Sequence, residues 1–149
     1  MDNSKPLEVC EFADLEEAIG GSIERFAINR PDASLIQSES AMYLELPTNR
    51  RATVILWMHA TSHRGRSATA GDVVLLGRQT EEMRFEDVPE WYVKILLEAE
   101  HFKVHKQRLD DMLWREHSHI FDDWIQAYAT ILLEAQKDAL THNVRVVPA

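Results

Sequence analysis

Three patterns of apolar positions succeed one another along the chain. From Ala13, "ADLEEAIGGSIERFAI" brings Leu15, Ala18, Ile19, Ile23, Phe26 and Ala27 to one side at helical spacing, which predicts an N-terminal helix. Glu16 and Glu17 suit the positive end of its dipole. Gly20–Gly21 is its weak point, because each glycine costs about 1 kcal/mol relative to alanine. A kink or a close backbone contact is expected there. Pro31 disfavours helical geometry at Arg30 and ends the element.

The middle third changes period. "AMYLEL" (41–46) partly alternates, "TVILWMHA" (53–60) is almost continuously apolar, and "DVVLLG" (72–77) repeats that pattern. These segments predict three strands, the second and third buried on both faces. "PTNRR" reads as a turn through its Pro and Asn. Segment 60–71, "ATSHRGRSATAG", then joins the second strand to the third. Hairpin loops usually run to about 2–5 residues, so this one has the length of a functional or a mobile segment.

Beyond Phe85 the pattern lengthens. "DVPEW" has the form of a capping box, with Asp87 as N-cap and Glu90 three residues on. No Gly or Pro occurs from Glu90 to Val147, and apolar residues from Trp91 to Ala139 recur at spacings near three, four and seven. One helix over 88–141 would be roughly 80 Å long, too long for this chain. The pattern weakens at "KVHKQR" and "WREHSH", so a break is expected near 115–119. The expected fold class is α+β: an N-terminal helix, a small three-stranded, mainly antiparallel sheet, and a C-terminal helical hairpin or long helices. We expect one domain, with a loose tail over 1–12, helix plus sheet over 13–86 and a helical part over 87–142.

Charge changes this picture more than composition does. The 149 residues carry net −9, unevenly spread. Residues 1–46 hold 3 basic and 10 acidic groups, and residues 79–149 hold 8 and 14. Between them, 47–78 hold five arginines (Arg50, Arg51, Arg64, Arg66, Arg78) against Asp72 alone. Phosphate repulsion by the acidic majority argues against nonspecific DNA binding by the whole chain, without excluding a nucleic-acid contact by this segment. The single cysteine, Cys10, rules out an internal disulfide framework. No apolar run approaches the roughly 18 residues of a membrane span, and "MDNSKPLEVCEF" lacks the basic flank and apolar region of a secretory signal. The expected location is cytoplasmic, away from membranes.

Candidate chemistry is sparse. Glu98 and His101, His101 and His105, and Glu116 and His119 fall three or four apart, the spacing at which carboxylate and imidazole ligands share a helix face in di-metal bundle sites. With 15 Glu and 7 His, one Glu-x-x-His is expected by chance. "RGRSATAG" lacks the Gly-x-Ser-x-Gly elbow and any Gly-Lys-Ser/Thr ending. Arg50, Arg51, Arg64 and Arg66, at turn and loop positions, could cluster and grip phosphate or carboxylate bidentately.

The expected function is therefore that of a small, acidic, noncatalytic binding or regulatory protein with no cofactor. It would act through contacts with a protein partner bearing a basic surface, and would be dimeric through its C-terminal helices. Two alternatives stand beside it. One is an anionic-ligand or nucleic-acid binder using arginines 50–78. The other is a metal-dependent enzyme using Glu98, His101, His105, Glu116 and His119.

Overall fold

Gly20 and Gly21 terminate the first helix rather than bend it. In the computed structural model, which describes residues 12–149, α1 spans Phe12–Ile19. Both glycines have positive φ (89° and 152°), and both amides donate to Glu16 O, at 2.8 and 2.9 Å. This closes the helix end as a left-handed C-terminal cap does. The apolar residues Ile23 and Phe26, expected on that helix, belong instead to β1 (Ile23–Ile28). The expected tail over 1–12, except Phe12, and Cys10 lie outside the described residues.

The chain divides into two compact units, Met1–Glu90 and Trp91–Ala149. In the first, β1 pairs antiparallel with β2 (Ala33–Ser38), and β2 pairs antiparallel with β3 (Val74–Leu76), in the order β1-β2-β3. Five of the six residues of β2 are buried. Leu15, Ile36 and Leu76 form the core, with Ile19, Ile23, Val74 and Phe85 packed around them.

Two of the three expected strands are not strands. Residues 41–46 form a tight turn, and "TVILWMHA" lies almost wholly in a helix, α2 (Arg50–His59). Asn49 decides the second case: its Oδ1 accepts from the Ala52 amide at 3.0 Å and caps the helix. Ala52, Thr53, Ile55, Leu56, Met58 and His59 are all buried, so α2 is covered on several sides. A helix so covered reads as a continuous apolar run, which periodicity cannot tell from a buried strand. The third segment, 72–77, does contain β3.

The expected C-terminal helical hairpin is replaced by a second sheet and one long helix. A short helix α3 (Glu90–Val93) continues as a wider turn over Lys94–Glu98. Asp87, the expected N-cap, precedes Glu90 by three residues and lies outside the helix. Then follow β4 (Phe102–Arg108), β5 (Trp114–Glu116), α4 (Trp124–Lys137) and β6 (Thr141–Pro148). The sheet is antiparallel with order β5-β4-β6. α4 starts at Asp123, whose carboxylate accepts from the Ile125 amide at 2.8 Å. It lies against β4 and β6, burying Trp124, Ala127, Tyr128, Ile131 and Leu132 where Phe102, Val104 and Val146 are also buried. The fold is thus mixed α+β, with two small sheets. Among the described residues no helix is long and apolar enough to cross a membrane.

Candidate binding surfaces

Segment 60–71 is an ordered strap anchored at both ends of α2. At the start of the helix, the Asn49 amide donates to Thr69 O (2.8 Å) and Asn49 Nδ2 to Gly71 O (3.0 Å). Thr69 Oγ1 donates to Asn49 O, and the Thr69 amide donates to Thr53 Oγ1. Thr53 therefore supplies the proton in the 3.0 Å hydroxyl pair with Thr69. At the far end, Trp57 Nε1 donates to Ser67 O at 2.6 Å, and Arg64 Nε donates to Trp57 O at 3.0 Å. His63 Nδ1 and Ser67 Oγ are 3.1 Å apart, and the His63 ring meets Phe26 edge-on at 5.3 Å.

The four expected arginines separate into two pairs. Arg50 and Arg51 open α2, while Arg64 and Arg66 follow its last turn, so about 15 Å of helix lies between them. A different arginine joins Arg64. The β1–β2 turn docks on the end of α2: the Asn29 amide donates to His59 O (2.9 Å), and His59 Nδ1 donates to Asn29 O (3.0 Å). Arg30 follows at φ 60°. Burial, then the Arg30 charge, pushes His59 down to about 4, so its imidazole is neutral. Burial and the same Arg30 charge also lower Arg64.

A second surface lies in the turn expected to be a strand. Ala41 is fully buried, and backbone bonds Leu44 N–H to Ser40 O (2.8 Å) and Leu46 N–H to Ala41 O (3.0 Å) close the turn around it. Met42, Tyr43 and Leu44 are left 76%, 89% and 58% exposed, flanked by exposed Glu39 and Glu45. Glu45 sits at φ 52°.

The histidine–glutamate candidates do not share a helix. His101 precedes β4 and pairs with Asp122 at 3.0 Å. His119 lies in the segment before α4, its ring edge-on to Phe121 at 4.6 Å. Glu98 is exposed at the end of the wider turn after α3. His105 and Glu116 do meet, as register partners on β4 and β5. Arg145 Nε donates to His105 Nδ1 (3.1 Å), which places the proton on Nε2. That nitrogen, 3.4 Å from Glu116 Oε2, makes no hydrogen bond. Lys103 holds the other carboxylate oxygen at 2.7 Å and is the first cause that lowers Glu116. With Arg145 also over the Trp114 ring (4.1 Å), the strip is a ladder of charges. Among the described residues no three His, Cys, Asp or Glu side chains are grouped to hold a metal ion.

Residues 1–101 match the model of a family described as "Domain of unknown function (DUF3846)". The chain belongs to this family. No curated protein and no solved structure matches it. The DUF3846 match covers the whole first unit, so it includes the strap, the arginines and the exposed turn. The His105–Glu116 ladder lies beyond it. Arg30 and Trp57 escaped the sequence reading because only chain folding brings residue 30 to the end of α2, and His59 was set aside, with His63, because both were read at the end of a strand rather than at the end of a helix. The signal for 42–44 was present in the run Met-Tyr-Leu between glutamates, but it resembled a half-buried strand.

Proposed function

We propose that this DUF3846 protein is a noncatalytic binding protein that acts through protein–protein contacts, with the turn 39–46 as its docking element. The exposed Met42-Tyr43-Leu44 run carries the reading. Scattered exposed apolar residues are ordinary, but a consecutive aromatic and aliphatic triplet on an anchored turn is the composition of an interface anchor. Glu39 and Glu45 on either side call for a partner with an apolar pocket rimmed by basic groups.

A second observation favours self-association as part of the same reading. At the β4–β5 turn Leu109, Met112, Leu113 and Trp114 are exposed, held by Arg108 bridging Asp110 and Asp138. A second copy would cover them and give the cytoplasmic homodimer expected from the sequence.

The test is photo-crosslinking from position 43 in cells that make the protein, followed by titration of the purified partner. Tyr43→Ala should weaken that complex at least tenfold, and raised salt should weaken it further. Unchanged affinity on Tyr43→Ala would remove the turn from the function. Native mass spectrometry of the free protein reads subunit number, and Leu113→Asp should shift a dimer to monomer.

A further inference from the structure

On the open face of the second sheet, one histidine stands between an arginine and a carboxylate. Strand alternation turns Lys103 and His105 away from the buried Phe102 and Val104. Register then sets His105 beside Glu116 on β5 and Arg145 on β6. Arg145 Nε donates to His105 Nδ1 at 3.1 Å, and its guanidinium carbon lies 4.1 Å over the Trp114 ring. On the other side, His105 Nε2 is buried 3.4 Å from Glu116 Oε2 and makes no hydrogen bond among the described residues. Lys103 Nζ holds Glu116 Oε1 at 2.7 Å. The charged groups facing the ring are therefore Lys103 on its own strand, Glu116 on β5 and Arg145 on β6. α4 packs against β4 from the opposite face, where its Glu134 pairs with Lys106 and His117, at 3.8 and 3.1 Å.

This arrangement holds for one protonation state only. A neutral imidazole offers one acceptor and one donor, and Arg145 uses the acceptor. A second proton has only Nδ1 to occupy, where it meets the N–H of Arg145. Imidazolium and guanidinium are both donors and both positive, so the bond between them is lost. Glu116 favours the same proton, because contact with an imidazolium is charge-assisted. Lys103 first, and His105 after it, hold the Glu116 carboxyl below the usual carboxylate range, so it is charged when the ring becomes charged. We propose that protonation of His105 is a switch that exchanges Arg145 for Glu116: the ring closes on Glu116, and Arg145 swings off the Trp114 indole. Closure gives the buried Nε2–H the acceptor it lacks. Trp114 and Arg145 are exposed, so the guanidinium swings into water rather than through a packed core. The proton thereby decides whether Trp114, one of the exposed apolar residues of the β4–β5 turn, is capped by an arginine or open to a partner. The switch needs no second copy, so it stands or falls apart from the self-association proposed for that turn.

Nuclear magnetic resonance of the full chain from about pH 8 to pH 5, the range in which histidine side chains change charge, tests it. The signals read are the His105 ring nitrogens, the Arg145 Nε–H and the Trp114 indole N–H. At the upper end the ring should be the Nε2–H tautomer, with the Arg145 Nε–H bonded to it. On acidification all three groups should move together with one midpoint. His105→Gln, whose side-chain carbonyl still accepts from Arg145, should abolish the movement at Arg145 and Trp114. Glu116→Gln should shift the shared midpoint to lower pH, since it removes the carboxylate that favours the proton. Glu116 is half exposed, so this variant carries the test if His105→Gln is unfolded. The switch is overturned by a ring that stays neutral throughout, or by an Arg145 Nε–H that stays bonded while the ring titrates. Movement that persists in His105→Gln, or a midpoint unmoved by Glu116→Gln, would overturn it equally.

Discussion

The two units are built from the same parts, a three-stranded antiparallel sheet and helices, but their central strands are used in opposite ways. In β2 five consecutive residues are buried, and the polar ones are satisfied within the fold: Arg25 Nε donates to Ser34 Oγ, while Gln37 accepts from the Ala70 amide and donates to Glu24. In β4, Phe102 and Val104 are buried, while Lys103 and His105 stand on the opposite face in a ladder with Glu116 and Arg145. A strand covered on both faces fixes its neighbours tightly, because a buried polar group tolerates no lost partner. A strand covered on one face leaves its other side free to change. The first unit is therefore the rigid frame for the strap and turn.

The largest effect should come from the core of the first unit, with its counterpart in the second unit as the comparison. Ile36→Ala should cost about 2–5 kcal/mol and Val104→Ala about 2 kcal/mol. Amide hydrogen exchange should place the first loss in β1–β3 and the second in β4–β6. Equal loss across both sheets from either change would break the division into two units. Next comes pH. Neutral His59 in the fold, about 4 against 6.5 when unfolded, means the unfolded chain binds more protons between these values. Its contribution is complete above pH 6.5 and falls as pH drops, by about 3 kcal/mol at pH 4. His59→Gln should flatten that slope in urea titrations, an effect no described residue of the second sheet is expected to match.

The helix caps give a finer contrast. Asn49→Ala removes the α2 cap together with the bond to Gly71 O, and should cost about 2 kcal/mol. Asp123→Ala removes only the α4 cap and should cost about 1 kcal/mol, both read by denaturant unfolding. Smallest of all, Lys103→Ala breaks an ion pair whose Glu116 partner is half exposed, and should change stability by no more than about 0.5 kcal/mol.

Much of this contrast was written in the sequence in a form that local patterns misread. The alternation Phe102-Lys103-Val104-His105 is a strand period, yet it sits within a stretch free of Gly and Pro whose wider spacing suits a helix. Leu109, Leu113 and Ile120 completed that apparent helical face, although all three are exposed. "ASLIQS" gave no strand signal because Ser34 and Gln37 dilute the apolar run, and their burial depends on Arg25 and Ala70. β3 was legible because Val74-Leu75-Leu76 is short, apolar and bounded by Gly71 and Gly77. Of the residues around the end of α2, Arg64 was legible from the charge reversal over 47–78. Arg30 was not, since it lies 34 positions away in a segment that reads as acidic.

The strap also makes itself visible. Trp57 commits its indole N–H to Ser67 O, while its own backbone carbonyl receives Arg64, so one fluorophore is tied to both halves of the segment. Any lifting of residues 64–67 from α2 must expose that indole to water. With Trp91, Trp114 and Trp124 replaced by phenylalanine, the colour of the remaining emission would follow the motion of the strap in real time.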